Sequence, residues 1–168
     1  GFLYIGRNAA LTNLDGLVNL TSVGGNLYIR SNAALTNLDG LVNITGSLRD
    51  LIIQFTALTN LNGLANITSV EGVLRITKNA ALTNLDGLVN ITSVGGNLSI
   101  QSNVAITNCQ GIALLLGWPN GPPDDSVVGE IIIQSNSTGC NSVEEVLASV
   151  SDTDTDGDGV GDTRDAFP

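Results

Sequence analysis

The sequence contains no histidine. The commonest acid–base side chain of enzyme catalysis is therefore missing. Only 6 lysines and arginines face 16 carboxylates, a net charge of −10. That balance argues against nucleic acid as a partner, because phosphate binding requires a basic surface. No stretch is long and apolar enough to span a membrane as a helix. No secretory leader is visible, but Gly1 falls in mid-repeat, so the compartment is left open on that count. Cysteine is limited to Cys109 and Cys140.

What the chain has in abundance is repetition. "ALTNLDGLVNITSVGGNL" at 81–98 reproduces residues 10–27 with a single Leu-to-Ile change, and two paraphrases lie between. Leu11, Leu35, Leu58, Leu82 and Ile106 share one slot, spaced 24, 23, 24 and 24 residues apart. A fixed period of this length marks a solenoid. A second slot pairs two apolar residues around one variable residue: Leu3/Ile5, Leu27/Ile29, Leu51/Ile53, Leu74/Ile76, Leu98/Ile100 and Ile131/Ile133. That alternation predicts a short strand with one buried face. Three residues later comes Asn8, Asn32, Asn79, Asn103 or Asn136. The "LTNLDGL" and "NIT" segments that follow predict turns, being too short and too Gly-rich for a helix. Stacked coils would lie about 4.8 Å apart, with Leu and Ile inside and Asn amides bonding within the bend. The Asn slots, including Asn13, Asn37, Asn60, Asn84 and Asn108, therefore read as scaffold.

The pattern L-x-I-x-x-N-x-x-L-x-x-L-x-x-L-x-x-I, as in "LYIRSNAALTNLDGLVNI" at 27–44, resembles the receptor L domain. The resemblance implies a mainly β fold, a right-handed leucine-rich-repeat-like β-solenoid. About five 24-residue coils cover roughly residues 1–108, and a diverged coil follows near 130–140. The third coil, "LIIQFTALTNL", is one residue short and lacks the Asn, which leaves the directions of Phe55 and Thr56 open. The fold alone names no ligand.

After Gln110 the pattern breaks. An insertion at about 111–129 starts apolar and has a Pro/Gly tip, with Trp118 beside Pro119 as a packing residue. "NSVEEVLASV" predicts a short cap helix over about 142–150. Ser142 and Glu145 have capping-box spacing, and Val143, Val146, Leu147 and Val150 make an apolar stripe. Residues 1–150 then form one capped solenoid and 151–168 a tail. Cys109 takes an interior slot and Cys140 follows the next strand, so the two can meet on adjacent coils as a disulfide or as a buried reduced pair. The tail favours the bridge, because its chemistry suits an oxidising exterior.

That chemistry lies in "DTDGDGVGDTRD". Asp154, Asp156, Asp158, Asp162 and Asp165 occupy loop positions 1, 3, 5, 9 and 12, and Val160 at position 7 offers a carbonyl. This is the oxygen spacing of a Ca²⁺ loop, and without a cation such crowded carboxylates repel one another. The stretch resembles a thrombospondin type 3 repeat. Position 12 is Asp rather than the Glu of an EF-hand and no helix pair flanks it, which implies structural Ca²⁺ rather than a switch.

The outward strand slots hold what the scaffold does not dictate. Four of the basic residues (Arg7, Arg30, Arg75, Lys78) and both tyrosines (Tyr4, Tyr28) fall there, with Gln54, Thr77, Ser99 and Gln101. Such a strip suits a glycan or an acidic protein surface, or serves as polar cover for an exposed sheet. Asn19, Asn43, Asn66, Asn90 and Asn136 begin glycosylation sequons, but their register with the coil points to a structural cause. Threonine columns (Thr12, Thr36, Thr59, Thr83, Thr107 and Thr21, Thr45, Thr68, Thr92) raise ice binding as a minor alternative. Catalytic candidates would be Glu71, Arg75 and Lys78, or Asp124 with Asp125, and none has a catalytic spacing. The expectation is a non-catalytic extracellular or cell-surface recognition or adhesion module. The alternative is a self-associating filament or surface-layer subunit joined through the coil ends and the calcium tail.

Overall fold

The computed structural model describes residues 1–118 and 126–150. Among them the chain is mainly β, with one short α-helix. β1 (Leu3–Gly6), β2 (Leu27–Asn32), β4 (Leu51–Thr56), β6 (Leu74–Thr77), β8 (Leu98–Gln101) and β9 (Ile131–Gln134) form a six-stranded parallel sheet in that order. Leu3, Leu27, Leu51, Leu74, Leu98 and Ile131 lie side by side in register, as do Ile5, Ile29, Ile53, Ile76, Ile100 and Ile133. These two rows face the core, and from Leu27 to Ile100 they are fully buried.

The return path holds more than turns. β3 (Gly46–Leu48), β5 (Ile67–Val70) and β7 (Ser93–Val94) make a second, three-stranded parallel sheet. The insertion extends it, since Val127 bridges Val94 and Val128 N–H donates to the Val94 carbonyl at 3.0 Å. Its apolar start supplies Leu115 and Leu116 to the core. Between the sheets, each "DGL" or equivalent is a single 3-10 turn: Asp15–Leu17, Asp39–Leu41, Asn62–Leu64, Asp86–Leu88 and Gln110–Ile112. The preceding Asn starts each of these turns from outside. The Oδ1 atoms of Asn13, Asn37, Asn60, Asn84 and Asn108 accept from the N–H two residues on, at 3.0–3.2 Å.

The glycine of that turn has a packing reason. A Cβ at Gly40, Gly63, Gly87 or Gly111 would strike the backbone carbonyl of Leu14, Leu38, Leu61 or Leu85 in the repeat before. Backbone lies directly on backbone there, and only hydrogen fits between.

The buried Asn column does the complementary work. Asn32, Asn79, Asn103 and Asn136 each donate from Nδ2 to the carbonyl of Ile5, Ile53, Ile76 and Ile100, one repeat back, at 2.9–3.2 Å. Their Oδ1 atoms accept backbone N–H groups from the same direction, those of Asn8, Thr56, Asn79 and Asn103. One amide thus satisfies a donor and an acceptor that the bend removes from the sheet ladder, and each such group left buried and unpaired costs about 1–3 kcal/mol.

Two residues, not one, separate the inward Ile from the inward Asn. Strict alternation would aim the Asn outward. The second of the two therefore adopts a left-handed conformation in every repeat: Arg7, Ser31, Phe55, Lys78, Ser102 and Ser135 have φ between 56° and 61°. Each costs roughly 1–2 kcal/mol of backbone strain, which the Asn bonds offset. The short third repeat keeps this geometry. Phe55 takes the left-handed position and is exposed, while Thr56 takes the Asn slot and donates from Oγ1 to Asn79 Oδ1 at 2.8 Å. Its missing residue falls in the bend between Thr56 and Leu58, outside the sheet.

At the far end α1 (Val143–Ser149) packs on the Gln110–Ile112 turn. Val146 is fully buried, with Val143 and Leu147 partly so. Ser142 Oγ caps the helix by accepting from Glu145 N–H, but the expected reciprocal bond is displaced. Glu145 Oε2 instead accepts from the N–H groups of Gly139 and Asn141, at 2.8 and 3.0 Å, and so ties the preceding turn to the helix. Cys109 and Cys140 form a disulfide with Cα atoms 5.9 Å apart. Closing a loop of that span stabilises by about 3–4 kcal/mol in the chain-entropy picture.

Gly87→Ala should lower stability by about 2–3 kcal/mol, since the methyl must displace backbone. Gly16→Ala, where a Cβ meets nothing within 4 Å, should change it by less than about 0.5 kcal/mol. Urea unfolding of the two variants checks the contrast, and equal effects would refute the packing account.

Candidate binding face

The outer surface of the six-stranded sheet carries three rows. One runs Tyr4, Tyr28, Ile52, Arg75, Ser99, Ile132 and the next Gly6, Arg30, Gln54, Thr77, Gln101, Gln134. The third is the left-handed column, which contributes Arg7, Phe55 and Lys78. Arg7, Arg30, Arg75 and Lys78 are all exposed. The outward slots are not uniformly open, however. Gln54, Thr77 and Ser99 are only 9%, 7% and 3% exposed.

The six residues singled out from the sequence separate into three pairs. Tyr4 and Tyr28 gather around Phe2, whose ring lies 6.2 Å from Tyr4 and meets Tyr28 edge-on at 5.3 Å. Tyr28 is held from below as well. Its hydroxyl donates to Asp50 Oδ2 at 2.9 Å and accepts from Asn26 Nδ2 at 3.0 Å. Burial, and then the Asp50 carboxylate, push the phenol above its ordinary value of 10.0. Tyr28 is thus a fixed part of the scaffold with one ring edge on the surface. Asp50 Oδ1 also accepts from Val73 N–H at 2.9 Å, so the carboxylate joins three repeats.

The second pair, Arg75 and Lys78, belongs to a shallow groove of about 230 Å³ lined by Gln54, Arg75, Thr77, Lys78, Gln101 and Ser102. Its floor is knit by Gln54 Nε2 donating to Thr77 Oγ1 at 2.7 Å, and Gln101 Nε2 donating to Ser99 Oγ at 2.7 Å. Lys78 Nζ lies 5.0 Å from the centroid of Phe55, a cation–π contact that props the ammonium beside the groove. Arg7 and Arg30 adjoin each other on the first two strands, away from this groove. Sequence reasoning missed Phe2, which precedes the strand, and Phe55, whose direction depends on the left-handed kink.

The other columns belong to the scaffold. Thr36, Thr59, Thr83 and Thr92 donate from Oγ1 to the Thr carbonyl one repeat back, at 2.9–3.4 Å. Hydroxyls so engaged argue against an ice-binding role. Asn43, Asn66 and Asn90 likewise donate from Nδ2 to the carbonyls of Val18, Val42 and Ala65, at 2.7–2.8 Å. Among the described residues no cluster of three acidic, Cys or His side chains could hold a metal, and no helix is long and apolar enough to cross a membrane. The residues expected to hold Ca²⁺, Asp154, Asp156, Asp158, Val160, Asp162 and Asp165, lie outside the described residues, as do Asp124 and Asp125.

Tyr28→Phe should cost about 1 kcal/mol at neutral pH, since Asp50 and Asn26 lose a shared partner. The phenol's raised folded value makes its contribution complete below pH 10.0 and lost as pH climbs through that raised value. Stability curves for the two proteins should therefore converge in strong alkali. A gap that stays constant would exclude the Asp50 bond as its source.

No curated protein and no solved structure matches the chain. The family model for the receptor L domain matches residues 42–151. The match thus starts later than the repeat itself and runs on through the insertion and the helix. The family is one of ligand-binding, non-enzymatic receptor-type domains. With more than half of its length matched and its parallel sheets in place, this chain belongs to the receptor L domain family.

Proposed function

We propose that the protein is a non-catalytic recognition module of the cell exterior that binds its ligand on the outer face of the six-stranded sheet. The observation that carries this reading is charge segregation. In a chain of net charge −10, Arg7, Arg30, Arg75 and Lys78 stack on one sheet face. The outward rows of that face hold no carboxylate. Asp15, Asp39 and Asp86 line the 3-10 turns instead. Solubility alone calls for mixed signs on every surface, whereas a one-sign field steers an oppositely charged partner. The Cys109–Cys140 bridge fits an oxidising compartment.

The body is best read as a right-handed solenoid of five 24-residue coils and a diverged sixth, closed by the helix, with residues 151–168 as a separate segment. In that segment the spacing of Asp154, Asp156, Asp158, Asp162 and Asp165, with the Val160 carbonyl, supports a structural Ca²⁺ site. Bound Ca²⁺ would neutralise carboxylates that otherwise repel and would hold the segment in one shape. Assembly into filaments is the alternative. The near-identity of residues 10–27 and 81–98 favours it, because a building block needs few variable positions.

Reversing charge on the face (Arg30→Glu with Arg75→Glu) should abolish binding to an immobilised panel of glycans and extracellular proteins. Reversal on the turns (Asp15→Lys with Asp39→Lys) should leave it intact. The opposite pattern would move the ligand site off the sheet. Calorimetric titration with Ca²⁺ should show one site, weakened at least tenfold by Asp154→Asn with Asp158→Asn. Equal heats from wild type and variant would remove the calcium assignment.

A further inference from the structure

We propose that the groove between Arg75 and Lys78 is a subsite for the anionic group of an acidic saccharide, a uronate carboxylate or a sulfate. The inference rests on the sheet face being the recognition surface and goes on to name its ligand class. Arg75 lies between Ile52 and Ser99 on the strands, and Lys78 follows the end of the same strand. The two cations therefore flank one opening, across Thr77. No carboxylate lines the groove, so neither cation is neutralised inside it. Arg75 offers a planar fork that matches an oxyanion on two atoms. Lys78 offers a point charge, positioned by its contact with the Phe55 ring at 5.0 Å.

The rest of the lining decides the class of ligand. Gln101 and Ser102 present an amide and a hydroxyl, which both donate and accept, above the nearly buried Gln54 and Thr77. That inventory matches a sugar's hydroxyls. An acidic peptide gains most of its affinity from apolar anchors in a dry pocket, and this groove has no apolar side chain in its lining. Gln54 and Thr77 are already fixed by their mutual bond, so the floor is preorganised and its ordering is settled before a ligand arrives. At about 230 Å³ the groove takes a single sugar unit, and the neighbouring rows continue the surface on either side.

The experiment is calorimetric titration of the full chain, in EDTA, with oligogalacturonate, a heparin-derived sulfated oligosaccharide, neutral cellohexaose and polyglutamate. EDTA removes calcium bridges between carboxylates. The variants are Arg75→Ser with Lys78→Ser, Arg7→Ser with Arg30→Ser, and Arg49→Ser as the loss of one positive charge outside the strand rows. Circular dichroism confirms that each is folded. The expected result is binding of one or both anionic oligosaccharides, with polyglutamate and cellohexaose at least tenfold weaker. The Arg75/Lys78 pair should weaken that binding at least tenfold and Arg49→Ser less than twofold. The uronate and sulfate arms distinguish the two sources of the anion. Anionic binding that falls only with the Arg7/Arg30 pair would overturn the groove and keep the sheet face. Polyglutamate binding as tightly as the saccharides would overturn the saccharide assignment. Binding insensitive to both pairs, or no binding to any anionic oligosaccharide, would also overturn the subsite, and insensitivity to both pairs would remove the sheet-face reading with it.

Discussion

Everything in this molecule depends on one backbone lying on the next at strand spacing, about 4.8 Å. That distance leaves no room for a side chain where the 3-10 turns stack, which is why Gly40, Gly63, Gly87 and Gly111 recur. It also brings each buried Asn within reach of the repeat before it, so that a single amide closes the backbone hydrogen bonds of a bend. Leucine and isoleucine then fill the space that glycine and asparagine define. The repeat is conserved along the chain because each copy is the template against which the next one packs.

That constraint explains where function can reside. Inward slots are occupied by the core, and the Thr and outer Asn columns by hydrogen bonds between repeats. The outer sheet rows and the left-handed column are what remain. Much of the variation between repeats falls there, and so does most of the positive charge. The face is rigid for the same reason. Its strands are anchored by buried Leu and Ile on both sides of the first outward row, and by Ile and the Asn slot around the other two, so side chains such as Arg75 and Gln101 vary without moving the sheet.

The period and the apolar pairs were enough to read the six strands and their parallel order, because side-chain alternation and a fixed repeat are both local signals. The disulfide and the helix were legible too, from the interior slot of Cys109 and the stripe of Val143, Val146 and Leu147. The second sheet was hidden. Its strands are two to four residues long, and Gly46 and Ser93 within them carry no alternation signal. The true partner of Glu145 was hidden as well, because the choice between Ser142 and the N–H groups of Gly139 and Asn141 depends on a turn that local spacing does not encode. On the face, the residue types were readable, but not that Phe2 would join the tyrosines or that Gln54 and Thr77 would bond to each other and be nearly buried. Those outcomes come from contacts between strands, across gaps of more than twenty residues.

The left-handed column has a consequence for any polymer that meets this surface. Arg7, Ser31, Phe55, Lys78, Ser102 and Ser135 are fixed by backbone geometry at the same height on successive strands, whatever their side chains are. The surface is thus ruled like a measuring scale, with one graduation per strand. A chain-like partner whose own chemical unit spans a whole number of graduations meets a side chain at the same height again at each unit. Weak contacts at single marks then add up through tethering, while a partner of mismatched pitch drifts out of phase after one or two. Discrimination of this kind is set by length along the strip rather than by the shape of any one pocket.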